Sequence, residues 1–135
     1  MATTAPTVTS ESAGIWTLPH QDVSVPTARR LARAHLCRGQ LAPDTIDTAL
    51  LLLTELLTNA VRHGHGPYVT FAVSLLSGQL ILSVTDTGNG GPRTRHRCDA
   101  LSESGRGLDI VATLAAAWSV RRTAAGHTIW AIIRL

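Results

Sequence analysis

The segment from Pro43 to Gly64, PDTIDTALLLLTELLTNAVRHG, constrains this chain more than any other. Pro43 and Asp44 read as the start of a helix and Gly64 as its end. Within LLLLTELLTNAVR the polar residues are Thr54, Glu55, Thr58, Asn59 and Arg62. Their spacing places them on one narrow stripe, and every other position is Leu, Ala or Val. Such a helix is buried on most sides and polar along one line. It needs a broad apolar surface to lie on.

The flanking segments supply one. YVTFAVSLL and QLILSVTD alternate with period two and are separated by Ser77-Gly78, which reads as a hairpin. WSVRRT and HTIWAIIRL form a second pair of strands around the turn AAG. VPTARRLARAHLCRGQ reads as a helix, with Ala28, Leu31, Ala32, His35 and Leu36 at helical spacing and Gly39 as its cap. RGLDIVATLAAAW reads as a third helix, and GIWTLP as a short strand at the sheet edge. Strands joined by tight turns are antiparallel. The order therefore predicts an α/β (α+β) two-layer sandwich: a mostly antiparallel sheet with three helices on one face.

Length and composition narrow the function classes. A chain of 135 residues, 44% of them hydrophobic, fits one domain with one core. Residues 1–13, rich in Thr, Ser, Ala and Pro, are expected to form a mobile tail, with the domain over 14–135. All twelve cationic residues are Arg, for a net charge of +3, and no basic stripe with interleaved aromatics appears, which argues against direct nucleic-acid binding. Cys37 and Cys98 match no metal spacing. The start MATTAPTVTSESAG has no apolar signal-peptide core, and no run approaches the ~20 apolar residues of a membrane span. A cytoplasmic protein is the expectation.

Three stretches carry candidate chemistry, each with a plainer alternative. The Glu55–Asn59 stripe could simply face solvent. It could also be a working face: an Asn oxygen is a hard ligand suited to Mg²⁺, and a Glu one turn earlier could take a proton from an attacking hydroxyl. Asp86 ends the row Leu80, Leu82, Val84, the side better suited to the core. It could cap the backbone of the TGNG turn. It could also accept a hydrogen bond from a ligand amino group such as adenine N6, with Gly88 and Gly90 letting the backbone pass close to a flat ring. Gly105 and Gly107, in SGRGLDIV, open the third helix; such an entry is either structural or an anion site. Arg106 could add a phosphate contact or face solvent.

Taken together, ELLTNAVRHG, then DTGNG after a hairpin, then GRGL opening a helix, then HT on the last strand resemble the GHKL ATPases, which share the Bergerat ATP-binding fold. The resemblance covers residues 15–135. Within that superfamily the chain is most similar to the small anti-sigma factor serine/threonine kinases, whose N-box E-x-x-x-N-A-x-x-H-G matches Glu55 to Gly64. The resemblance implies that Asn59 holds Mg²⁺ on the ATP phosphates and that Glu55 is the general base. It implies that Asp86 binds the adenine amino group and that Gly88 and Gly90 shape the adenine pocket. Gly105, Arg106, Gly107 and Leu108 would lie beside the phosphates, and Thr128 would support adenine through the Asp or a water. Residues 91–104 would form the ATP lid. It is short and has no lysine, so Arg93, Arg95 or Arg97 would have to serve if a lid cation is needed. His63 matches a position often histidine in the family, where it could pack the helix end or touch the ligand.

The resemblance also implies partners, namely a sigma factor and an anti-sigma factor antagonist, and a possible homodimer. Two functions follow. One is a kinase that phosphorylates the antagonist with Mg-ATP. The other is a catalytically weak, ATP-dependent protein-binding switch of the same fold. A DNA-binding or scaffolding domain with coincidental glycines is the remaining class.

Overall fold

The computed structural model describes residues 12–86, 106–123 and 126–135, with the side chains of 106–109 and 123 outside that description. In chain order the elements are β1 (Ser12–Pro19), α1 (Ser24–Cys37), α2 (Pro43–His63), β2 (Tyr68–Leu76), β3 (Gln79–Asp86), α3 (Arg106–Leu114), β4 (Ala117–Thr123) and β5 (Gly126–Arg134). The five strands form one sheet in the order β1-β2-β3-β5-β4, and every neighbouring pair is antiparallel. The three helices cover one face.

Strand alternation builds the inner face from rows of residues that lie side by side. Leu75, Leu80 and Ile133 form one row, and Val73, Leu82 and Ala131 the next. Phe71, Val84 and Ile129 form the third, and Val69, Asp86 and His127 the last. All twelve are buried. Against them lies α2, whose Leu50, Leu52, Leu53, Leu56 and Leu57 are each at most 1% exposed. Each such side chain contributes about 1.5–3 kcal/mol on burial. This helix is therefore the centre of the core, as its leucine content requires.

The ends of α2 are set locally. Ala42 is extended, Pro43 occupies the first turn, where its missing N–H is no loss, and Asp44 complements the helix dipole. Gly64 ends the helix at φ −83° and ψ −179°, an extended backbone open to any residue. Its reason for being glycine lies in the site below. The β2–β3 turn does require special backbone: Ser77 and Gly78 have φ of 52° and 78°, the pair of left-handed residues that a tight two-residue hairpin turn prefers.

Three boundaries differ from those expected. Gly39 is not the left-handed residue after α1; Gln40 is, at φ 58°. The third helix stops at Leu114 instead of running to Trp118, because the Ala116 N–H donates to the Ile132 carbonyl and Trp118 pairs with Ala131 in the sheet. The alanines are good helix formers, but the open edge of β5 captures them. The strand GIWTLP begins earlier, at Ser12, and lies at the sheet edge as expected. Its Trp16 stacks on Phe71 with centroids 4.9 Å apart and meets His35 edge-on at 5.6 Å, so it closes the core beneath α1.

Candidate functional site

The polar stripe of α2 divides into two parts. Thr54 donates to the Leu50 carbonyl at 2.7 Å and accepts from the Arg29 guanidinium of α1 at 2.5 Å. Thr54 is thus a tie between helices. Arg62 is exposed, and Glu55 and Thr58 are half-buried. Asn59 differs from the rest: it is 5% exposed, and its side-chain nitrogen has no hydrogen-bond partner among the described residues. A buried amide left this way costs about 1–3 kcal/mol. A solvent-facing stripe does not bury its amide, so the arrangement favours a site.

Asp86 lies at the same end of α2. It is 2% exposed, on the inner face as its parity predicted. A Cβ added to Gly64 would stand 3.0 Å from both Cβ and Oδ2 of Asp86 and would collide with the Ala60 carbonyl. Gly64 is therefore a close-approach glycine: it lets the C-terminal end of α2 close onto the carboxylate. Beyond Asp86 in the row stands His127, 3% exposed, with Nδ1 3.9 Å from Asp86 Oδ1.

Glu55, Asn59 and His63 lie on α2, with His63 half-buried as its last residue. Asp86 meets the end of that helix through Gly64. Arg106, Gly107 and Leu108 form the first turn of α3, which packs on α2; their side chains lie outside the described residues. Gly88, Gly90, Gly105 and the lid residues 91–104, with Arg93, Arg95 and Arg97, also lie outside them.

Thr128 is not brought beside Asp86. It stands opposite Thr85 in the ladder, on the outer face, and the two hydroxyls are 2.8 Å apart. Asp86 and Thr128 thus point away from each other, because successive side chains of a strand alternate. The inward neighbour of Asp86 is His127. It was legible in principle: His127, Ile129, Ala131 and Ile133 are the alternating set that mirrors Leu80, Leu82, Val84 and Asp86. Gly64 was read as a helix end, and its contact with Asp86 needed the tertiary structure.

No group of three or more His, Cys, Asp or Glu able to hold a metal occurs among the described residues. Mg²⁺ does not require such a group, since it takes few protein ligands and keeps waters and phosphate oxygens. Chemically, the inner end of α2 joins a hard amide ligand, a nearby carboxylate able to accept a proton, and a buried carboxylate able to accept a hydrogen bond.

The family model of the histidine kinase-like ATPase domain matches residues 18–133. The chain belongs to this family. Solved structures agree on the fold of this ATPase domain. The RsbU and RsbW domains of a Mycobacterium tuberculosis protein superpose with a TM-score of 0.63 at 21% identity, covering 92% of this chain and 32% of that one. The histidine kinase domain of a blue-light activated histidine kinase from Erythrobacter litoralis gives 0.56 at 25% identity, covering 87% and 62%. The ATPase domain therefore spans about a third of the first chain and less than two thirds of the second. No curated protein sequence matches it significantly. No described helix is long and apolar enough to cross a membrane.

Proposed function

We propose that the chain is an ATP-binding regulatory protein of the anti-sigma factor serine/threonine kinase kind. It would transfer the γ-phosphoryl group of Mg-ATP to a serine or threonine of an antagonist protein, and it would bind a sigma factor in its other state. The observation that carries this reading is the pairing on α2 of half-buried Glu55 with buried Asn59, whose amide nitrogen lacks a partner among the described residues, at the helix end that closes on Asp86.

Each residue then has a task. Asp86 accepts a hydrogen bond from the exocyclic amino group of adenine, which fixes the base at the end of the sheet. Asn59 would hold Mg²⁺ through its amide oxygen, and the ion would supply charge neutralisation on the phosphates. Glu55 accepts the proton of the attacking serine or threonine hydroxyl. The hydroxyl oxygen forms a bond to the γ-phosphorus, the bond from that phosphorus to the β–γ bridging oxygen breaks, and ADP leaves with the electron pair. The first turn of α3 offers backbone N–H groups and the positive dipole end to the phosphates.

A positioned base contributes about 10²–10⁴-fold. Glu55→Gln should therefore reduce phosphotransfer from γ-labelled ATP to the antagonist by that factor and leave the Kd for Mg-ATP within about twofold. Equal phosphotransfer in wild type and variant would contradict the role of Glu55. ATP binding by the wild type with no phosphoprotein formed would assign the chain to the protein-binding switch instead.

A further inference from the structure

We propose that the open edge of β4 is an interaction surface for the same strand of a second copy of this chain. The two sheets join into one across a twofold axis at Val120. The inference does not depend on the nucleotide reading.

Ladder parity shows which groups the edge presents. The Leu135 N–H donates to the Gly78 carbonyl, so the odd-numbered residues of β5 bond to β3. The even-numbered ones therefore bond to β4, through Ala117, Ser119 and Arg121. Trp118 and Val120 turn their main-chain N–H and C=O groups the other way, where no described strand pairs with them. The opposite edge of the sheet is different. The His20 N–H donates to the Pro67 carbonyl, so the odd-numbered residues of β1 face outward, Pro19 among them. Proline has no N–H to offer. Its carbonyl already accepts from the Gln21 N–H at 2.8 Å and from the Ser24 hydroxyl at 2.6 Å. Such a residue blunts an edge, and β4 contains none.

The sequence of β4, AWSVRRT, suits a second copy of itself in one register. Side chains must keep their faces, so an antiparallel twofold passes through a residue and not between two. The candidates are Ser119, Val120 and Arg121. An axis at Arg121 sets two arginines directly opposite, which is unfavourable. An axis at Ser119 shortens the overlap and leaves Arg122 outside it. The axis at Val120 overlaps the whole strand. It sets Trp118, 37% exposed, across from the partner's Arg122, and Arg121 across from the partner's Ser119. An indole attracts a guanidinium, and no like charges stand directly opposite. Both helical layers stay on the same side of the joined sheet. There α3 lies against β4, and its exposed Ala112 and Thr113 are small enough for two copies to come close.

Sedimentation equilibrium of the full chain over about a hundredfold dilution is the test. Wild type should pass from dimer to monomer, and a monomer at every concentration would overturn the proposal. Val120→Pro removes the N–H at the axis but no bond to β5, so the monomer keeps its ladder. The variant should raise the dimer Kd by about tenfold or more, through the pair of bonds lost at the axis. A wild-type Kd for Val120→Pro would overturn the proposal. If the variant does not fold, amide exchange of the wild type decides. The Val120 amide should be protected in concentrated solution and exchange quickly on dilution. The Ser119 and Arg121 amides, bonded to β5, should stay protected in both. Val120 exchange that does not respond to dilution would place any dimer elsewhere and overturn the proposal.

Discussion

Residues 85 and 86 are neighbours in the chain, as are 127 and 128, yet each pair is split between the two faces of the sheet. On the inner face Asp86 and His127 are buried beneath the end of α2. On the outer face Thr85 and Thr128 join hydroxyls, in the same row as the Thr17–Thr70 pair. The outer face is mixed: beside the threonine row it carries Ile15, 71% exposed, with Ala72 and Trp130 in one row and the Ile81–Ile132 pair in the next. The difference teaches that a residue type is not enough to place a function on a strand. Adjacent residues of one strand serve opposite faces, since one position decides the face.

The largest effect expected from the comparison is on stability. Leu82→Ala, in the inner face, should cost about 2–5 kcal/mol, because a fully buried Leu leaves a cavity under α2. Ile81→Ala, one residue away on the outer face, should cost less than half as much. Denaturant melts of the two variants check this, and equal losses would mean that the outer face is covered too.

Two glycines sharpen it next. Gly64→Ala should destabilise by about 1–3 kcal/mol through overpacking against Asp86 and the Ala60 carbonyl, and should also weaken Mg-ATP binding. Gly78→Ala, at φ 78° with nothing within 4 Å of its Cβ, should cost about 1–2 kcal/mol through backbone conformation and leave ATP binding unchanged. Thermal melts with and without nucleotide separate the two. The smallest effect is expected at Thr128→Val, which breaks the pair with Thr85. It should cost about 0.5–1.5 kcal/mol and leave the Kd for Mg-ATP at the wild-type value, and a large loss of nucleotide affinity would put Thr128 back in the site.

Much of this was legible in the sequence, for identifiable reasons. The leucine helix and the first hairpin were readable because periods of 3.6 and two residues are local properties, and Ser77-Gly78 marks its own turn. Asp86 was readable because it continues an apolar row. The interaction that makes Gly64 a glycine was not, since it depends on the end of α2 meeting a strand more than twenty residues later. The insertion of β5 between β3 and β4 is likewise a non-local pairing that no window of sequence contains. The alanines after Leu114 misled because propensity favours helix and the edge of β5 outcompetes it. The stripe on α2 was ambiguous by itself. Burial of Asn59, with Thr54 diverted to Arg29, separated its structural part from its candidate functional part.

The central claim is that the inner end of the sheet, at Asp86, holds the base of ATP. Calorimetric titration of Mg-ATP into wild type, Asp86→Asn and Thr85→Val tests it directly. The account predicts binding by the wild type, a loss of roughly 10- to 100-fold for Asp86→Asn, and a wild-type Kd for Thr85→Val. Equal affinity of Asp86→Asn and wild type would contradict it.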